Sequence, residues 1–290
     1  MTKLISRRFD SVDAMLDYAK RPLPKGANSS AVQSWTTRMV DARYEYDWYG
    51  MNKNETRCPV VYAADMLRNG WQEGVERMES AMTELAEVPA SRSVRRRACW
   101  SDAGDSLDMQ RVYSGQLDAA WRKCTRQSAS APKPVTIWIL AGLSSQDSTD
   151  AIFWRGAACA TLADRLSKAG YSVGINAYNC EKSRLDNMKQ GPGFDFRLTI
   201  KPHSTPLDLA SMTAAIALPA TIRGALYNAM IIAGQEDGFQ IGGGIFVITK
   251  TPCPDVQPGD FAGLEKVSTK ATAIDWINAG IAQLTEQTTN

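Results

Sequence analysis

The C-terminal half of the chain alternates between two hydrophobic periods. PVTIWILAG, residues 134–142, is an unbroken apolar and β-branched run bounded by Pro and Gly, the pattern of a strand buried on both faces. After the polar loop SSQDSTD, the stretch AIFWRGAACATLADRLSKAGY predicts a long helix whose face of Phe153, Gly156, Ala157 and Ala160 can lie close on a sheet. YSVGINAYN predicts a second strand, residues 181–193 a polar loop, and FDFRLTIK a third strand whose alternation places it at a sheet edge. LDLASMTAAIAL and PATIRGALYNAMIIA predict helices, the second with Pro219 in its first turn. GGGIFVITK predicts a fourth strand, and ATAIDWINAGIAQL a last helix striped by Ile274, Ile277, Ile281 and Leu284. Strands alternating with helices predict an α/β fold with a doubly wound, mainly parallel, Rossmann-like sheet.

The N-terminal region has a different pattern. SVDAMLDYAK predicts a short helix beginning near Ser11, a good N-cap. Residues 22–35 carry prolines, a glycine and small polar residues, and predict a loop. From 58 to 86 the apolar positions Val61, Ala64, Leu67, Trp71, Val75, Met78, Met82 and Leu85 recur at helical spacing, with a break expected at Asn69-Gly70. Ser93 to Trp100 predicts a short strand, and LDMQRVYSGQLDAAWRKC predicts two helices joined at Gly115. SASAPKPV, residues 128–135, is the sharpest break in composition. It divides the chain into a mainly helical region, 1–130, and an α/β domain, 131–290.

Charge refines this division only slightly. The 290 residues carry 33 basic and 31 acidic side chains, for a formal net charge of +2, which excludes a strong overall pull toward nucleic acid or membrane. Residues 1–130 hold 20 basic and 17 acidic groups, and 131–290 hold 13 and 14. The one dense basic cluster is Arg92, Arg95, Arg96 and Arg97, followed by Asp102, Asp105 and Asp108. It reads either as a solvated surface or as a phosphate-contacting patch. No apolar run is long enough to span a bilayer, and the N-terminus lacks the pattern of a signal peptide, so no membrane and a cytoplasmic location (the host cell's cytoplasm, or else a virion, for a phage-encoded chain) are expected.

Candidate chemistry is sparse. The six cysteines are scattered without a C-x-x-C pair, so a structural zinc site is not expected and reduced thiols are. Gly104-Asp105-Ser106-Leu107 spells a serine-esterase signature, but the single histidine, His203, has no aspartate three residues before it. Neither G-x-G-x-x-G after a strand nor G-x-x-x-x-G-K-[ST] is present. The expected candidate is therefore a cleft at the strand ends. Ser144, Ser145, Asp147 and Asp150 follow the first strand, His203 and Thr205 the third, and Thr249 and Lys250 the fourth. Hydroxyls and carboxylates of this kind suit a hard cation, and equally well serve as helix caps and turns.

The order of elements over residues 134–285 resembles a von Willebrand factor A domain. That family ends its first strand in D-x-S-x-S, follows it with a long helix, takes a threonine from a later loop, and places T-D after the fourth strand. Here Ala141, Leu143 and Ser145 stand at the first motif, Thr205 is similar to the loop threonine, and Thr249-Lys250 replaces threonine-aspartate. The resemblance implies a degenerate domain that has lost most of its metal ligands and works through protein contacts. NGWQEGVERM, GDSLDMQRVYSGQLDAAW and FWRGAACATLADRLSKAGYSV resemble, in combination, an uncharacterised family of bacteriophage and bacterial genomes.

Three functions follow as expectations. The first is a non-catalytic interaction or scaffolding protein with a protein partner or self-association, and with no catalytic residues, metal or cofactor. The second is nucleic-acid binding through Arg92 and Arg95–Arg97. The third is a metal-dependent enzyme at the strand-end loops, with the metal on Asp147, Asp150 or Thr205.

Overall fold

A computed structural model describes residues 4–22, 46–52, 54–85, 97–101, 106–125, 133–141, 147–184, 190–238, 246–250 and 255–287. The first half contains β1 (Leu4–Phe9), α1 (Val12–Ala19), α2 (Tyr46–Tyr49), α3 (Pro59–Asn69), α4 (Gln72–Leu85), β2 (Arg97–Ser101), β3 (Ser106–Leu107), α5 (Met109–Tyr113) and β4 (Trp121–Thr125). The second half contains β5 (Pro134–Leu140), α6 (Thr149–Lys168), β6 (Ser172–Arg184), β7 (Gln190–Lys201), α7 (Leu209–Ala217), a π-helical segment Ala220–Leu226, α8 (Tyr227–Glu236), β8 (Phe246–Lys250) and α9 (Lys270–Gln287).

The fold is mixed α/β. Its main sheet has the order β1-β7-β6-β5, with β8 also pairing β6. Parallel pairings join β1 to β7 and β5 to β6, so the four-strand path is mostly parallel, while β6 to β7 and β6 to β8 are antiparallel. The third strand, FDFRLTIK, lies between β1 and β6 and not at an edge. The unpredicted strand β1 covers it, with Ile5 and Phe9 joining Phe194, Phe196 and Leu198 in one cluster. The stretch 181–193 is also more ordered than its polarity suggests, because β6 runs on to Arg184 and β7 begins at Gln190.

Side-chain alternation decides which face is covered. Val135, Ile137, Ile139, Val173 and Ile175 pack with residues of α4, α6, α7 and α9. Phe194, Phe196 and Leu198, on the same face, pack with α1, the π-helical segment and α8. The opposite face carries Trp138, Leu140, Tyr178 and Cys180, packed with Val256. Segment 255–261 straps that face: Trp138 Nε1 donates to Asp260 Oδ2 at 3.0 Å, and Phe261 forms a parallel bridge with Ile137. Among the described residues, then, the helices that pack on the sheet lie on one side of it. The doubly wound expectation is corrected to a two-layer arrangement. The apolar run of β5 is buried on both faces because a strap, and not a helix, covers Trp138 and Leu140.

The same helical layer draws on both sides of residues 128–135. Met78, Ala81 and Leu85 of α4 share a cluster with Val135 and Ile137. Met15 and Leu16 of α1 pack with Phe196 and Met230. Each of the larger of these side chains, Met78, Leu85, Met15 and Leu16, all 0% exposed, contributes on the order of 2 kcal/mol. Local signals hold where they are strongest. The Ser11 side chain accepts from Ala14 N, and Gly70, at φ 88°, separates α3 from α4. Residues 121–124, expected in a helix, lie instead in β4, the central strand of a second, antiparallel sheet of order β2-β4-β3. No single helix among the described residues is long and apolar enough to cross a membrane. The pair Leu209–Ala217 and Ala220–Glu236 passes by composition but is bent by 67°, and its apolar side chains fill the core.

Candidate functional site

The antiparallel turn from β6 to β7 splits the expected strand-end cleft. β5, parallel to β6, ends with Leu140 opposite Tyr178, and β8, antiparallel to it, ends with Lys250 opposite Glu181, so the two strand ends approach each other beside the same stretch of β6. Asp147 and Asp150 lie at the start of α6, which follows β5. β7 runs the other way, and His203 sits over Gly174 at the far end of β6. Glu181 lies seven residues beyond Gly174, about 23 Å at 3.3 Å per residue. His203 and Thr205 therefore do not join Asp147, Asp150, Thr249 and Lys250. Ser144 and Ser145 lie outside the described residues, and Thr249 and Lys250 are described only as strand backbone. Among the described residues no three His, Cys, Asp or Glu side chains gather as a metal set.

At the first end, Asp147 faces a guanidinium. Arg155 Nη1 donates to Asp147 Oδ2 at 3.2 Å, while its Nε and Nη2 donate to Val267 O at 2.9 Å and Glu265 O at 3.2 Å. Arg223, 1% exposed, comes from the π-helical segment. It donates to Trp48 O at 2.7 Å and to Asp147 O, with its guanidinium 4.4 Å from the Trp48 ring. Burial lowers its pKa from the usual arginine value. These contacts fasten the start of α6 to α2, to the segment before α9 and to the π-helical segment. Asp150 pairs with Arg77 at 2.7 Å, and that guanidinium also covers the Phe153 ring at 3.7 Å. Ser148 is the N-cap of α6, accepting from Ala151 N.

At the far end, His203 Nδ1 lies 2.7 Å from Ser172 O, and Nε2 lies 3.3 Å from Thr136 Oγ1. A carbonyl only accepts, so Nδ1 carries the proton, and Nε2 accepts from the threonine. This ring staples the loop after β7 to the beginnings of β5 and β6. Thr205 Oγ1 donates to Pro202 O at 3.1 Å.

Beside this loop lies a cavity of about 380 Å³, between the N-terminal ends of α1 and α7 and the last residues of β7. Thr205 lines it together with Lys201, Asp13 and Asp208. The β6–β7 register slips between Asn176, opposite Thr199, and Ile175, opposite Lys201. Strict alternation would send Lys201 to the face opposite Ile200. The slip places it across from Ile175, whose side chain lies in the helix-side core, so the bulge aims Lys201 into the helical layer. Lys201 is 8% exposed and donates to Val173 O at 2.5 Å and Pro202 O at 3.2 Å. Desolvation lowers its pKa from the usual lysine value.

The three-stranded unit is built differently. Of its described side chains only Ala120 is buried, whereas Leu107, Met109, Tyr113 and Leu117 are exposed, Tyr113 at 82%. Ser106 and Leu107 of the esterase-like tetrapeptide form β3, an exposed two-residue strand. Arg92, Arg95 and Arg96 lie outside the described residues, and Arg97 is described only as backbone at the start of β2.

A helix-and-strand core and two separate strand-end clusters define a mixed α/β protein. The chain belongs to the family described as Domain of unknown function (DUF7192), which matches residues 2–244. No curated protein and no solved structure matches it.

Sequence reading missed Lys201, Arg155 and Arg223. Arg223 carried a signal, as the one charge in PATIRGALYNAMIIA. Lys201 carried none, because its alternation pattern points away from the core and only the bulge reverses it.

Proposed function

We propose that this chain is a non-catalytic interaction protein that associates with a second copy of itself through the three-stranded unit. The observation that carries the reading is the apolar group Leu107, Met109, Tyr113 and Leu117, all exposed within one short stretch. Met109 and Tyr113, four residues apart on α5, share one helix face. Exposed apolar groups gathered in this way mark contact surfaces more often than isolated ones do. Asp108, Arg111 and Asp118 lie in the same stretch of chain. A surface bearing both signs of charge is self-complementary about a two-fold axis, where residue i of one copy meets residue j of the other.

The finer fold reading is part of the same proposal. β5, α6 and β6 are read as the core of a degenerate A-type domain, a parallel strand pair joined by a long helix, with Asp147 engaged by Arg155 where that family would direct ligands at a cation. Sedimentation velocity across a concentration series tests the association. A reversible dimer that becomes monomeric in Tyr113→Asp and Leu117→Asp supports it, and a monomer at every concentration overturns it.

A further inference from the structure

We propose that the cavity between α1, α7 and the bulged end of β7 binds a small monocarboxylic acid, its carboxylate pairing with the Lys201 ammonium and its apolar body lying against Val12, Leu67, Ile200 and Met212. Three observations carry this. The first is the bulge, which turns Lys201 out of the sheet's alternation and into the cavity wall. The second is charge. Lys201 is nine-tenths buried, and among the described residues its amine meets only the carbonyls of Val173 and Pro202 and pairs with no carboxylate. A buried cation without a counter-ion is costly, and an anion in the adjoining space would offset that cost.

The third observation is that the two acids of the cavity are already engaged. The oxygens of Asp208 accept from Ala210 N at 3.1 Å and Ser211 Oγ at 2.6 Å. Asp13 sits at the rim, 71% exposed, and reaches toward Arg68 at 3.6 Å. Both acids are solvent-exposed, so the one buried charge in the cavity wall is that of Lys201, and it is positive, which selects a monoanion. Much of the remaining wall is apolar, which selects a ligand with a hydrocarbon body. A volume of about 380 Å³ lies at the lower end of the range for small-molecule sites.

Hexanoate is the probe, titrated calorimetrically into the full chain. One saturable site is expected, with 1-hexanol, hexylamine and inorganic phosphate each binding at least about tenfold more weakly. Lys201→Met should weaken hexanoate by about tenfold or more, and Lys201→Arg should retain most of the affinity. Because Lys201→Met also removes two structural hydrogen bonds, Ser211→Phe provides an independent check. It leaves the Lys201 charge in place, gives up the Ser211 hydrogen bond to Asp208 while Asp208 still caps Ala210 N, fills the cavity from its exposed rim, and should abolish binding while the circular dichroism spectrum is unchanged. Hexanoate affinity that is equal in the parent, Lys201→Met and Ser211→Phe proteins overturns the proposal. So does preferential binding of hexylamine or phosphate, or no saturable binding of hexanoate at millimolar concentration.

Discussion

The imidazole of His203 rests directly on the backbone of Gly174, so closely that a Cβ at position 174 would stand 2.6 Å from Nε2. That ring position is what allows His203 to bond both Ser172 O and Thr136 Oγ1. A side chain at 174 must displace the ring and break the staple at the start of the sheet. Because that ring is an exposed side-chain tip that can swing aside, Gly174→Ala is expected to lower stability by about 1 kcal/mol, the order of the ring hydrogen bonds lost, measured as a shift in urea midpoint. In a His203→Ala background the same change should lose most of its cost, since the clash has gone. An equal cost in both backgrounds would place the requirement for glycine elsewhere.

A second glycine sets the distance between two helices. A Cβ on Gly156 of α6 would meet Ala217 Cβ at 2.7 Å and Ile216 O at 3.1 Å, at the end of α7. Backbone atoms cannot yield as a side-chain tip can, so Gly156→Ala should separate α6 from α7. A destabilisation of about 1–3 kcal/mol is expected, although alanine is the better helix former. Thermal melts of the variant showing a raised midpoint would mean that the helices have room to spare.

Gly156 also illustrates how far the sequence was legible. Its small-residue face announced a close approach, and the approach is there, though Gly156 meets a helix and not the sheet. The strands of 134–142 and 171–179, the cap at Ser11 and the break at Gly70 were readable because each rests on local periodicity or backbone preference. Strand direction is not a local property. FDFRLTIK has the same pattern whichever way it runs, and its antiparallel pairing with β6 moved His203 and Thr205 to the opposite end of the sheet from Asp147. The bulge that turns Lys201 inward is likewise a matter of register between two strands. Trp121–Thr125 failed for another reason: its aromatic and β-branched ends suit a strand, but the preceding LDAA extended the helical pattern into it.

Asp147 distinguishes a structural clamp from a cation ligand. Among the described residues its carboxylate is the one acid paired with the buried Arg155, whose other donors end on Val267 O and Glu265 O. Asp147→Ala leaves that guanidinium in place without its acid. A loss of about 2 kcal/mol is expected, below the roughly 3–5 kcal/mol of a fully enclosed pair because the carboxylate is 24% exposed. Asp147→Asn, which keeps an acceptor, should recover part of the loss. Magnesium or manganese added to the parent protein should leave its melting temperature unchanged, and a metal-dependent rise that Asp147→Ala abolishes would restore the metal-site reading.

Tyr18 ties the first helix to the end of α8 and gives stability an alkaline limit. Its hydroxyl donates to Glu236 Oε2 at 2.5 Å and accepts from Arg7 Nε at 3.2 Å, linking β1, α1 and α8. Burial, and next the hydrogen bond to Glu236, push its pKa from 10.0 up to about 12. Between these values the folded protein keeps a proton that the unfolded chain has released, so stability falls as pH rises across that interval. The contribution is fully present below pH 10 and is lost above about 12. Tyr18→Phe removes the hydroxyl and should cost about 1 kcal/mol near neutral pH. Followed by urea unfolding at each pH, the gap between parent and variant should then close and reverse as pH climbs from 10 to about 12, because a pKa rise of that size outweighs the hydroxyl's contribution near neutral pH. A gap that holds constant through that interval would mean that the Tyr18 proton is bound no more tightly in the folded chain than in the unfolded one.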